Sequence, residues 1–202
     1  MSTYKVIPER LAKIETLSLH QGRHQPDSTF CVMEAVAFVA GEPWSDHPAC
    51  ACPIITSLLI RWNDRLPNNA ERDRLLKHFI PRIVGTRNPA VEMKRAIMIG
   101  DWTVRTVIPE LLRLLKRNKE ADELAALPEI SSAAKLVEGL ARALDLVRTL
   151  DLDIDRDLIL SYALDIDLAL NLDLDLAIVR ALCRKLETSQ STLVERMIAC
   201  TE

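Results

Sequence analysis

Glycine is scarce in this chain, five residues in 202, and after Gly139 neither glycine nor proline occurs again. The glycine-rich loops that cradle phosphates and the fingerprint that binds dinucleotides are both missing. With 49% hydrophobic residues, the shortage of glycine also argues against a disordered chain or a loop-rich disulfide scaffold. Basic excess is missing too. A formal net charge of −3 and a pI near 5.9 provide no broad attraction to nucleic acid or to an anionic membrane. Every apolar run is broken by charge before the ~18 residues that a membrane span needs, and "MSTYKVIPERLAKIETL" has no basic-then-apolar export signal. The expected location is therefore cytoplasmic. Five cysteines, an odd number, then point to reduced thiols or metal ligands rather than disulfides.

What the sequence does contain is helix punctuation. Pro8 to Leu19 carries Leu11, Ile14, Leu17 and Leu19 at near-helical spacing, and "HQGRHQPD" follows as a loop. Asp27 or Ser28 is placed to cap an apolar helix through "FCVMEAVAFVAG" that Gly41 ends. Pro53 opens "IITSLLIRWNDRL", "AERDRLLKHF" is interrupted near Pro81, and Asn88-Pro89 starts a helix that Pro109 bends or restarts. "EADELAAL" reads as a turn, and Ser131 or Ser132 starts a last helix toward Leu150. Trp62 and Trp102 fall within helical patterns as core anchors. The expectation is an all-α, multi-helix globular domain over residues 1–139 and a Leu/Asp-rich repeat segment over 140–202.

That second segment poses its own problem. Aligning Ala143 with Ala163 pairs Asp145 with Asp165, Leu150 with Leu170 and Asp153 with Asp173, a degenerate internal repeat. The even positions from Leu164 to Ile178 are all Leu or Ile, the period of a half-buried strand. One strand from Leu144 to Ile178 would exceed about 100 Å at ~3.3 Å per residue, yet no turn residue breaks it. Helix is favoured for that reason, with a strand or β-solenoid as the alternative. Either way the leucines require a covering surface, from the preceding helices or from a second chain.

Cys31, His47, Cys50 and Cys52 form the sharpest candidate site. Thiolate and imidazole ligands suit tetrahedral zinc, and an H-x2-C-x-C loop could wrap one ion with Cys31 reaching in from a helix start. The competing interpretation makes the three cysteines small buried hydrophobes. A third makes Cys31 a nucleophile near a helix N-terminus with His20, His24 or His47 as base, opposed by Glu34 one turn away. Ser45, Asp46 and His47 have the residue types of a hydrolase triad but are adjacent, so Asp46 or Ser45 caps a turn instead and Trp44 packs into the core. "DLDIDRD" lacks the glycine and the final glutamate of a calcium loop. Arg61, Arg65, Arg72, Arg74, Lys77, Arg82 and Arg87 interleave with Asp64, Glu71 and Asp73 and predict a solvated mixed-charge face.

"CVMEAVAFVAGEPWSDHPACACPII", with "RWNDRLP", "RDRLLKHFIPRIVGTR" and "DWTVRTVIPELLRL", resembles a set of uncharacterised bacterial and phage proteins that join this module to a repetitive tail. The resemblance covers residues 20–128. It implies no established activity, so no catalytic residue is carried across, but it favours an accessory, phage-related role over a metabolic one. The functional expectation is a non-enzymatic soluble protein acting through protein contacts or self-association, without nucleic acid or membrane. The alternative is a zinc-binding protein or cysteine-dependent enzyme centred on Cys31, His47, Cys50 and Cys52.

Overall fold

A computed structural model describes residues 4–26, 29–148 and 176–201, and over them the protein is all-α. Its helices are α1 (Pro8–Thr16), α2 (Val32–Ala40), α3 (Pro53–Arg65), α4 (Asn69–Leu76), α5 (Ile80–Ile83), α6 (Pro89–Trp102), α7 (Ile108–Leu114), α8 (Asn118–Ala125), α9 (Ala133–Arg148) and α10 (Leu176–Ala199). A 3₁₀ turn, Lys77–Phe79, joins α4 to α5, and a π turn, Thr103–Val107, joins α6 to α7. Among the described residues the only β pairing is an isolated parallel bridge between Leu19 and Phe30. No helix there is long and apolar enough to cross a membrane. The paired leucines and aspartates from Leu150 to Asp175, including "DLDIDRD", lie outside the described residues, as do Asp27 and Ser28. The chain divides into two compact units, 1–93 with 194–202, and 94–193.

In the first unit α2 is the centre, packed against α1, α3 and α5. Its sequence, VMEAVAFVA, leaves only Phe38 and Ala40 short of full burial. A helix apolar on nearly every side has to be covered on every side. Gly41 ends it at φ 78°, a left-handed conformation that glycine adopts without a Cβ clash. Trp62 and Phe79 pack with ring centroids 6.1 Å apart, so the tryptophan anchors the core as its spacing predicts. The last turn of α10 belongs to this unit: Val194, Met197 and Cys200 are buried, and Glu195 pairs with Arg82.

In the second unit Ile108 and Leu112 of α7, Ala121 and Leu124 of α8 and Ala143 of α9 form one apolar cluster. Burial of Ala121 and Leu124 corrects the expectation of a turn at "EADELAAL": those residues form most of α8 because their apolar side chains have a core to face. Pro109 has the predicted effect in a specific form. Proline has no N–H to donate four residues back, and the Ile108 N–H bonds instead to the Thr103 carbonyl, the wider spacing of a π turn. Trp102 is only partly buried, and its Nε1 donates to Ser189 Oγ at 3.1 Å. Leu182, Leu186, Gln190 and Leu193 mark one buried stripe of α10, so the chain beyond Leu176 has helical periodicity.

Gly100 reports on the packing of α6 against α9, since a Cβ built there overlaps the methyl groups of Leu136. Gly100→Ala gains up to about 1 kcal/mol of helix propensity but meets an overpacking cost of about 1–3 kcal/mol. The expected outcome in urea denaturation is a net loss, and combination with Leu136→Ala should cost less than the two single losses added together.

Candidate functional site

The polar side chains of the first unit converge on the loop between α1 and α2. The described residues of this loop, 17–26 and 29–30, have almost no secondary structure of their own, so their backbone groups need partners from elsewhere. Glu34 supplies several of them. Although fully buried, its carboxylate accepts the His24 N–H at 2.7 Å, the Cys31 N–H at 2.8 Å and the His24 ring Nδ1 at 2.8 Å. Cys31 is the residue before the first turn of α2, and its Sγ accepts the Glu34 N–H at 3.4 Å. The result is a capping box in which a thiol takes the place usually held by a hydroxyl. The helix therefore starts at Val32 rather than near Asp27 or Ser28. Cys31 lies one position outside the helix instead of in its first turn.

Asn63, also fully buried, continues the arrangement from α3: its Oδ1 accepts the Val32 N–H at 3.3 Å and its Nδ2 donates to the His20 carbonyl at 2.9 Å. Asp64 Oδ1 accepts the Gly22 N–H at 2.8 Å, and Asp73 Oδ1 accepts the Leu19 N–H at 2.8 Å. Arg72 donates to the carbonyls of Asn63 at 2.8 Å and Leu66 at 2.7 Å, and to Asn69 Oδ1 at 3.0 Å. Only 3% of Arg72 is exposed, which corrects the expectation that it joins a solvated mixed-charge face. Desolvation lowers the pKa of this guanidinium, with Asp64 opposing the shift. A buried guanidinium is tolerable here because these three acceptors meet its fork of donors. Asn69 Oδ1 faces Arg72, so its Nδ2 faces His20 Nδ1 at 3.3 Å and is the donor in that contact. His20 accordingly accepts at Nδ1 and carries its proton on Nε2.

The four candidate ligands are dispersed in role. Cys31 caps α2, and Cys52 precedes Pro53 at the start of α3, its N–H donating to Thr86 Oγ1 at 3.1 Å. The Cys50 carbonyl accepts the N–H groups of Gly85 and Arg87, both at 3.1 Å. His47 is exposed and bonded through Nδ1 to Asp46 at 2.9 Å, while Ser45 Oγ accepts the His47 N–H at 3.0 Å as a turn cap. Among the described residues no three His, Cys, Asp or Glu side chains are grouped so as to hold a metal ion. None of the five cysteines is in a disulfide. Two of them are driven toward the neutral form. Burial, with Glu34 alongside, pushes Cys31 up to about 12, and burial, with Glu42 alongside, pushes Cys50 up to about 11.

Sequence reasoning named His20, His24 and Glu34 only as accessories to a reactive Cys31. The hydrogen-bonded roles of Asn63, Asp64, Asn69, Arg72 and Asp73 were missed, and the available signal was their clustering on two consecutive helices after a loop rich in unpaired backbone.

The raised thiol pKa values set a pH dependence. A group whose folded pKa lies above its unfolded value stabilises the fold fully below the unfolded value, and the contribution disappears as pH rises through the folded one. For Cys31 that window runs from 9.0 to about 12. Chemical denaturation across it should show stability falling with pH, and Cys31→Ser, which replaces the sulfur cap with a hydroxyl, should flatten the slope. Near neutral pH Cys31 and Cys50 should react with a thiol reagent only after denaturation.

No protein-family model, curated protein or solved structure matches this chain, so the interpretation of the site rests on its own geometry.

Proposed function

We propose that this protein acts without turnover, in the cytoplasm, as an accessory factor that works through contacts with other protein chains, copies of itself included. The observation that carries the proposal is the internal engagement of the Cys31 corner. Glu34, Asn63 and Arg72, three buried polar groups of this corner, are hydrogen-bonded to backbone atoms that fix a loop and a helix end. Groups committed in this way build a rigid surface rather than attack a substrate. Both Cys31 and Cys50 favour the neutral thiol, which weighs against the cysteine-dependent enzyme as an alternative; a zinc protein centred on Cys31, His47, Cys50 and Cys52 is the other alternative.

Two features support contact with other chains. On α9 Ala134, Val137 and Ala141 are exposed at helical spacing, Val137 to 68%, with Glu138 and Arg142 beside them. In the sequence, the unbroken alternation of Leu or Ile from Leu164 to Ile178 supplies more apolar surface than a solvated segment would retain. Light scattering on the purified chain tests the proposal. A defined oligomer is expected, dispersed by Leu170→Ser with Leu172→Ser and weakened by Val137→Ser. A monomer at every concentration, or stoichiometric zinc lost together with folding in Cys50→Ser, would overturn it.

A further inference from the structure

We propose that two copies of this chain pair antiparallel through the outward face of α9, about a twofold axis at the level of Leu140; the inference rests on the reading of the protein as one that associates with itself. The inward side of this helix is already committed. Ala143 packs into the cluster with Ile108, Leu112, Ala121 and Leu124, and a Cβ built on Gly139 would come within 2.8 Å of Ile130 Cδ1, so that side has no room for another occupant. The opposite side is left bare. Val137 is 68% exposed, the highest value among the large apolar side chains described, and Ala134 and Ala141 lie one turn to either side of it, also exposed.

Charge decides what covers this face. At about 3.6 residues per turn, Lys135, Glu138, Arg142 and Asp145 form one edge of it, and Ala134, Val137 and Ala141 form the other. Glu138 and Arg142 are four residues apart with the glutamate first, the arrangement that suits an ion pair within one helix. Among the described residues, however, neither side chain makes an ion pair or a hydrogen bond. Lys135 Nζ reaches a neutral group, Ser131 Oγ, at 3.4 Å.

An antiparallel copy turns like edge to like edge, whereas a parallel copy sets the charged edge against the apolar one. With the axis level with Leu140, Glu138 faces Arg142 of the second copy and Lys135 faces Asp145 of the second copy. Symmetry repeats both pairs on the other side of the axis. Read in reverse, the spacing of these four residues is unchanged and every sign inverts, so the edge is its own complement. The apolar edges meet with Ala141 nearest the axis, where a small side chain lets two backbones approach, and Val137 packs beside it.

Sedimentation equilibrium on the full chain tests the pairing by charge reversal. Glu138→Arg and Arg142→Glu each set like charges across the axis twice and should weaken the dimer about tenfold. The double swap should restore it, and so should mixing the two single variants. Circular dichroism checks that these exposed substitutions leave the helices intact. Oxidation with copper phenanthroline followed by peptide mapping reads the register. Ala141→Cys should link to its own counterpart, and Ala134→Cys, about 18 Å from its counterpart along the helix at ~1.5 Å per residue, should not. An oligomer indifferent to the reversals, or one in which Ala134→Cys links as readily as Ala141→Cys, overturns this pairing and leaves self-association through another surface standing. A monomer at every concentration overturns both.

Discussion

The first unit depends on a carboxylate in an apolar place. Glu34 lies on α2 among valines, alanines and a methionine, all buried, where an uncompensated charge would cost several kcal/mol. Its compensation comes from three N–H groups, and two of those belong to the loop that would otherwise have no reason to lie where it does. The dependence is mutual. Without the loop Glu34 has an unsatisfied charge, and without Glu34 the loop has unsatisfied backbone, so the helix start and the loop order together. Asn63 and Arg72 extend the same logic to α3 and α4, where both side chains bond backbone groups that regular structure does not serve.

Much of the helical order was legible because proline and glycine act locally. Pro53, Pro89 and Gly41 fall where α3 and α6 begin and α2 ends, and the reasons are confined to a residue or two: a fixed φ, a missing N–H, a tolerated left-handed turn. What was not legible depends on partners distant in sequence. A cysteine is a weak acceptor and an unusual cap, so the start of α2 could be placed only once Glu34 was known to turn back on Cys31. Arg72 has the same pattern of charged neighbours as Arg74, yet Arg74 pairs with Glu71 at the surface while Arg72 turns inward to carbonyls in the last turn of α3 and just beyond it. A one-dimensional charge pattern cannot separate the two, because the difference lies in which helix face meets a neighbour. The same limit made α8 look like a turn.

Local periodicity also fails where it conflicts with itself. Leu176 to Ile178 belong to the strict alternation that suggests a strand, and they form the first turn of α10. Further along the same helix the pattern becomes Leu182, Leu186, Gln190 and Leu193, a spacing that needs no arbitration.

The cysteines invert the usual inference from residue type to chemistry. Cys31 and Cys50 each face a glutamate from a buried position, and both influences disfavour a thiolate. Near a helix N-terminus a thiol would ordinarily be made more acidic by the dipole and free N–H groups. At Cys31 the Glu34 N–H contributes in that direction, but burial is the larger effect and the Glu34 carboxylate adds to it. The carboxylate that suppresses the thiol is the one that orients the imidazole. Burial and the Glu34 carboxylate together hold the sulfur in its neutral form, and the same carboxylate fixes the orientation of the His24 ring.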